Sequence, residues 1–346
     1  MAGTIGNESR DDYYAFELAA AAHRLVTEVR PIRPGQQVLV SVDSAGDMRA
    51  ARATAAAVQA VGGVPILVTY PTLPEPMVEP PRPLARAVLG ADVWFDFAVA
   101  YQLYSPAYRA AVANGCIYVC LTGMDVDMMV RTIGRVPHAP MEEMARVLYR
   151  MSQAAATIRL TSPAGTDLRM TVDKRGDPFW EEEKTGGYAQ MLGGQTGPMA
   201  FRESFEGVLV FDGAIWPPDE IGLVRSPVRL TIEAGYVTRV EGGAEAAIYD
   251  RWLRGFGHPA AMLMDHACYG FNPGVRRPSG RILEDERVFG CMQFGIGATE
   301  LGSPIHSDGV VLGPSVWLDD EQIEDAGRYV HPALVRLCRE MGVEGY

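Results

Sequence analysis

The feature that most narrows the fold is a change of hydrophobic period near residue 157. Before it, short apolar runs alternate with helical stretches. Gln37-Val38-Leu39-Val40-Ser41-Val42 is followed by an alanine-rich stretch over 47–61, closed by Gly62-Gly63, and then by Val64-Pro65-Ile66-Leu67-Val68-Thr69. Residues 92–98, a helical stretch over 106–114 and a run over 116–121 continue the series. Strands that are apolar throughout are buried on both faces, so this pattern predicts a parallel sheet with right-handed helical crossovers. After residue 157 apolar and polar residues alternate instead: Thr157-Ile158-Arg159-Leu160-Thr161 faces 167–172 across a short turn, and 228–233 faces 236–240 across Ala234-Gly235. That pattern predicts antiparallel hairpins. The expected architecture is an α/β N-terminal domain with a mainly parallel sheet over 1–156, and an α+β C-terminal domain with mostly antiparallel strands over 157–346. An opening helix over 11–29 is stopped by Pro31 and Pro34, a helix over 141–156 ends the first domain, and a helix over 244–254 belongs to the second.

A net charge of −12 and a pI near 5.0 disfavour an electrostatic grip on nucleic acid or on an anionic membrane. A small-molecule or peptide substrate fits better. Residues 1–10 are polar and no apolar run is long enough to span a bilayer, which predicts a cytoplasmic protein. Cys116, Cys120, Cys268, Cys291 and Cys338 lack CxxC spacing and sit among apolar residues, as buried reduced thiols do. The loop after the first strand, Asp43-Ser44-Ala45-Gly46-Asp47, has neither the dinucleotide glycine pattern nor a Walker A lysine. The polar, glycine-rich stretch 176–207 is expected to be a long irregular loop, and Glu181-Glu182-Glu183 within it reads first as a solvated helix start.

Candidate chemistry centres on residues 303–310. In an extended segment His306 and Asp308 point to one side, imidazole beside carboxylate. With 6 histidines and 20 aspartates, about 0.35 His-x-Asp pairs arise by chance, and a lone pair of this kind is more often a turn hydrogen bond than a pair of ligands. A further histidine would complete a 2-His-1-carboxylate set, the arrangement that suits non-haem Fe(II). His23, His138, His258 and His331 read as surface, turn or cap residues. His266 differs, because Met262-Leu263-Met264 delivers it to an element end before Gly270-Phe271-Asn272-Pro273.

The stretches 266–273, 284–290 with 294–297, and His306-Ser307-Asp308 ahead of Trp317-Leu318-Asp319 resemble the second-domain signature of the thermophilic aminopeptidase (peptidase M29) superfamily. They most resemble its 2,5-dihydroxypyridine 5,6-dioxygenase branch. Leu103-Tyr104-Ser105-Pro106, 165–168 and 204–207 extend the likeness through both domains. The peptidase branch holds two metals at positions that fall on Gln195, His266, Gln293, His306 and Asp308, of which two are neutral amides here. The resemblance therefore implies one Fe(II) per chain on His266, His306 and Asp308, a small aromatic substrate with O₂, and a homo-oligomer. The implied reaction inserts both oxygen atoms into a hydroxylated ring; the alternative is a metalloaminopeptidase. Arg287 is implied as a catalytic and substrate-binding cation, its other reading being a surface charge pair. Ser105 is implied to bind substrate, its other reading being a helix cap. The likeness departs over 176–194, which contains no histidine; Tyr188, as a substrate-binding residue, Gln190 and Glu181, Glu182 or Glu183, with Glu183 taken as catalytic, are the candidates there.

Overall fold

The structure is a computed structural model that describes residues 10–175 and 186–346. Two compact units emerge, Met1–His138 with Pro178–Gly193, and Ala139–Asp177 with Gly194–Tyr346. The sequence suggested one division at residue 156. The chain instead divides at residue 138, and 186–193 returns to the first unit. Helix His138–Ala154 contributes to the second unit, where the Ser152 hydroxyl lies 2.9 Å from that of Tyr269.

In the first unit, five strands run parallel in the order Val64–Tyr70, Gln37–Asp43, Val93–Asp96, Ile117–Cys120 and Tyr188–Gln190. Their crossovers are the helices that the apolar spacing predicts. Asp47 caps Met48–Ala60 by accepting the Arg49 N–H at 3.0 Å, and Ser105 caps Pro106–Ala113 by accepting that of Tyr108 at 3.1 Å. Leu39, Leu84, Trp94, Ala107 and Tyr118 form one face of the core. The opening helix Ala15–Arg24 continues as wider π-type turns over Leu25–Val29.

The fifth strand corrects the expectation of an irregular loop over 176–207. Tyr188 pairs with Ile117, is buried, and lies under the Arg30 guanidinium at 5.5 Å. Gly187 permits this close approach: a Cβ there would stand 2.5 Å from the Cys116 carbonyl oxygen. Gln190 is held by its amide, which donates to the Val29 carbonyl at 2.9 Å.

The second unit contains two antiparallel sheets. A six-stranded sheet has the order Gly222–Leu223, Ala214–Trp216, Ser307–Leu312, Cys291–Ile296, Met264–Gly270 and Gln195–Thr196. An eight-stranded sheet contains the hairpins Thr157–Thr161/Asp167–Thr171 and Val228–Glu233/Tyr236–Glu241. Phe211 of the larger sheet packs so closely on Gly309 of the smaller that a Cβ at 309 would overlap its ring. Alternation then sends Asp308 to the other face. The fold is the expected one, a parallel α/β unit and an antiparallel α+β unit. No helix among the described residues is long and apolar enough to cross a membrane.

Candidate metal centre

Three neighbouring strands carry the site. His266 lies directly opposite Gly295, which lies directly opposite Asp308. Residues opposed in this way share a face of the sheet, so the imidazole and the carboxylate meet above the glycine. Gln293, two residues before Gly295, projects on the same face. His306 immediately precedes the strand Ser307–Leu312 rather than lying in it. Its ring nevertheless stacks on that of His266, with centroids 5.2 Å apart and planes 21° from parallel.

On one side of the two rings, Asp308 Oδ1 is 3.5 Å from His266 Nε2 and 3.4 Å from His306 Nε2. The Gln293 amide nitrogen donates to Asp308 Oδ1 and lies 2.9 Å from His266 Nε2. Its oxygen accepts from Gln195 Nε2 at 3.2 Å. On the other side stands Asp265. Its Oδ1 accepts from Arg202 Nε at 3.0 Å, and its Oδ2 is 3.6 Å from both His266 Nδ1 and His306 Nδ1.

Asp265, His266 and His306 can each bring one ligand atom to within 4.8 Å of the others. The hydrogen bonds decide which ring nitrogens are available. His306 Nδ1 donates to the Gly297 carbonyl at 3.1 Å, which leaves its lone pair on Nε2, facing Asp308. The 3.4 and 3.5 Å separations exceed hydrogen-bond range and suit two donors that each stand about 2.1 Å from a shared ion. Asp308 thus stands beside the Nε2 atoms of both imidazoles. Gln195 and Gln293 add amides to its surroundings and no second carboxylate.

The charges of these side chains stabilise one another. Burial disfavours the Asp308 carboxylate, but the two imidazoles outweigh it and hold the pKa well below the ordinary value. Burial likewise opposes charge on His266, yet the neighbouring Asp265 and Asp308 carboxylates hold it well above 6.5. Asp265 is lowered to about 2, against its burial, by His266, His306 and Arg202. With 32% of its side chain exposed, His266 opens the site to solvent, whereas His306 is covered.

The remaining candidates are placed differently. Arg287 is wholly buried and donates to the Leu283 carbonyl at 2.6 Å and to Glu286 at 2.8 Å, so its surface-pair reading is excluded. Burial and the neighbouring Asp308 charge raise Glu286 to about 7 despite Arg287. Ser105 and Tyr188 lie in the first unit, as cap and strand residue. Glu183, with Glu181 and Glu182, lies outside the described residues. His258 and His331 cap Pro259–Met262 and Pro332–Glu340, as their positions before proline suggest.

Asp265 and Arg202 carried no recognisable signal in the sequence. Strict alternation would turn Asp265 away from His266. The ladder instead shifts register between Met264 and His266, so Asp265 occupies a bulge and re-aims its side chain.

The sequence matches, over residues 19–331, the family described as NicX: 2,5-dihydroxypyridine 5,6-dioxygenase. The chain belongs to that family. A curated relative, the 2,5-dihydroxypyridine 5,6-dioxygenase of Pseudomonas putida KT2440, is 29% identical over 144 residues, which span 38% of this chain and 41% of that protein. Two solved structures share the fold. The 2,5-dihydroxypyridine dioxygenase of P. putida KT2440 aligns with TM-score 0.73 and 20% identity over 93% of this chain and 99% of that one. Wild-type AmpT from Thermus thermophilus aligns with TM-score 0.64 and 14% identity over 92% and 100%. The resemblance seen in 266–273, 284–297 and 306–319 is thus membership of the dioxygenase family.

Proposed function

We propose that this chain is a ring-cleaving dioxygenase that uses one Fe(II), held by His266, His306 and Asp308, to insert both atoms of O₂ into a hydroxylated N-heteroaromatic such as 2,5-dihydroxypyridine. The observation that carries this reading is the convergence of two imidazole Nε2 atoms on one carboxylate oxygen, at 3.5 and 3.4 Å. A ferrous ion held by these three side chains would supply a place where O₂ and a hydroxylated ring could meet and exchange electrons.

The protein's part is positional. Gln293 holds Asp308 by its amide N–H, and Gln195 holds Gln293, which fixes the carboxylate against rotation. His306 is locked through Nδ1 on Gly297. Of the two imidazoles, His266 is the one left partly exposed. Arg287 acts through Glu286, whose raised pKa lets it hold a proton near neutrality beside Asp308.

Anaerobic reconstitution tests the reading. About one ferrous ion per chain and O₂ consumption with 2,5-dihydroxypyridine are expected, and His306→Ala or Asp308→Ala should abolish both while the protein stays folded. Tight binding of two zinc ions, with hydrolysis of leucyl-p-nitroanilide and no O₂ uptake, would make it a metalloaminopeptidase instead.

A further inference from the structure

We infer that the strand Val64–Tyr70 is the surface through which two copies of this chain associate, pairing antiparallel about Leu67 into one continuous sheet. The strand is an edge of the five-stranded parallel sheet, hydrogen-bonded on one side to Gln37–Asp43. Its composition is that of an interior strand: Val64-Pro65-Ile66-Leu67-Val68-Thr69-Tyr70 has no charge and carries apolar residues on both faces, the pattern of a strand covered above and below. Its position leaves much of that surface bare. Val68 and Tyr70 pack into the core beside Leu84 and Ala85, whereas Val64 and Ile66 on the same face are 43% and 52% exposed, and Leu67 on the other face is 37% exposed.

The other sheet edges among the described residues are blunted. At the far side of the same sheet, Tyr188–Gln190 has three residues, with Tyr188 and Gln190 buried. In the second unit, Gly222–Leu223, Gln195–Thr196 and Arg328–Tyr329 have two residues each, and Tyr236–Glu241 carries Arg239 and Glu241. Short strands and charges keep edges from pairing, so a long, neutral, apolar edge is the exception that needs a partner.

The backbone register makes a second copy of the same strand that partner. The Val64 N–H donates to the Gln36 carbonyl and the Tyr70 carbonyl accepts from the Ser44 N–H, each at 2.9 Å, so residues 64, 66, 68 and 70 turn their backbone groups toward Gln37–Asp43. The Pro65 carbonyl and both backbone groups of Leu67 and Thr69 therefore point outward. The N–H that Pro65 lacks is on this outer side, so the proline costs the inner ladder nothing. Leu67 is the midpoint of the seven-residue strand. Antiparallel pairing about it exchanges two hydrogen bonds between the two Leu67 residues, and gives each Pro65 carbonyl the N–H of Thr69 of the partner subunit. Ile66 then faces Val68 of the partner subunit and Val64 faces Tyr70 of the partner subunit, so each exposed side chain meets an apolar one. In a chain of net charge −12, this contact brings no two like charges of the strands together. The two-fold axis uses both copies of the edge, and association closes at the pair.

Sedimentation equilibrium of the full chain tests the inference. A species of twice the 37.6 kDa chain mass is expected, or a larger even-numbered assembly built from that pair. Leu67→Lys sets two like charges opposite each other, and Leu67→Pro removes both central hydrogen bonds while leaving every bond to Gln37–Asp43 in place. Each is expected to raise the dissociation constant of the pair about 10- to 100-fold, with circular dichroism unchanged. Cross-linking decides independently of those variants' folding. Directly opposed Cα atoms in such a pair stand about 5.5 Å apart, within the span of a disulfide. Mild oxidation should therefore join Leu67→Cys chains at that position, located by peptide mass spectrometry. Val64→Cys, whose two copies lie about 20 Å apart along the pairing, should stay unlinked. A monomeric wild type, a dimer that Leu67→Lys and Leu67→Pro leave intact, or cross-linking of Val64→Cys in place of Leu67→Cys would each overturn the inference. The interface and the proposed activity fail separately, because none of these results bears on His266, His306 and Asp308.

Discussion

A methyl group at residue 295 would have to share space with two imidazoles. The Cβ of Gly295→Ala would lie 2.6 Å from His266 Nδ1 and 2.8 Å from His306 Cε1, and neither ring can retreat without losing its approach to Asp308. Overpacking of this kind costs about 1–3 kcal/mol. The rings are the softest neighbours, so the damage should appear first as lost zinc affinity in a titration and only second as a lower melting temperature. Normal affinity in a folded Gly295→Ala protein would mean that the rings are not held where the sheet puts them. Alternation singles out His306 and Asp308 only at about the level of chance, and the resemblance joins His266 to them; the structure brings the three side chains near one another. Gly295 and Asp265 were not legible in the sequence: one matters through the side chain it lacks, the other through a bulge that breaks the alternation used to find its neighbours.

At the scale of elements, the segment 279–287 is a buried polar brace. Asp285 accepts the N–H of Ser279 at 2.6 Å and of Gly280 at 2.9 Å, and burial still raises it to about 6. Arg281 pairs with Glu284 at 2.6 Å, and Arg287 with Glu286 at 2.8 Å. In the sequence Arg287 also reads as part of a surface charge pair, since sequence pattern cannot tell an exposed ion pair from one enclosed by later strands. Arg287→Ala leaves Glu286 buried without its cation, and breaking a buried pair in this way costs about 3–5 kcal/mol. The cost should depend on pH with a definite sign. A buried acid whose folded pKa, about 7, exceeds its unfolded value binds more protons when folded, so it lowers stability as pH rises from about 4.5 through 7. Without Arg287 that pKa rises further, and chemical denaturation should find the variant more strongly destabilised at pH 8 than at pH 5. Glu286→Gln in the same chain should recover part of the loss. An equal cost at both pH values would show that Arg287 acts through packing alone.

At the scale of the whole molecule, the two units divide the labour. Parallel and antiparallel sheets were distinguishable in the sequence because burial on two faces or on one leaves different periods, but the return of Tyr188–Gln190 to the first sheet depends on a long-range pairing that no local period encodes. Fold alone does not assign chemistry, since both P. putida dioxygenase and AmpT share this one. Every residue proposed to hold or orient the ion, from Gln195 to Asp308, belongs to the second unit. The first unit has its own core, in which Leu39 is 2% exposed beside Trp94 and Tyr118. Leu39→Ala removes buried volume there at a cost of about 2–5 kcal/mol. Calorimetry of the full chain should show its transition moving down for the first unit, while zinc stoichiometry and affinity measured below that transition stay at wild-type values. Conversely, zinc at 100 times its dissociation constant stabilises only what binds it, by about 2.7 kcal/mol, and should raise the transition of the second unit. Weaker zinc binding by folded Leu39→Ala protein would place part of the metal site's support in the first unit, and the assignment of the site to 195–308 would have to be widened accordingly.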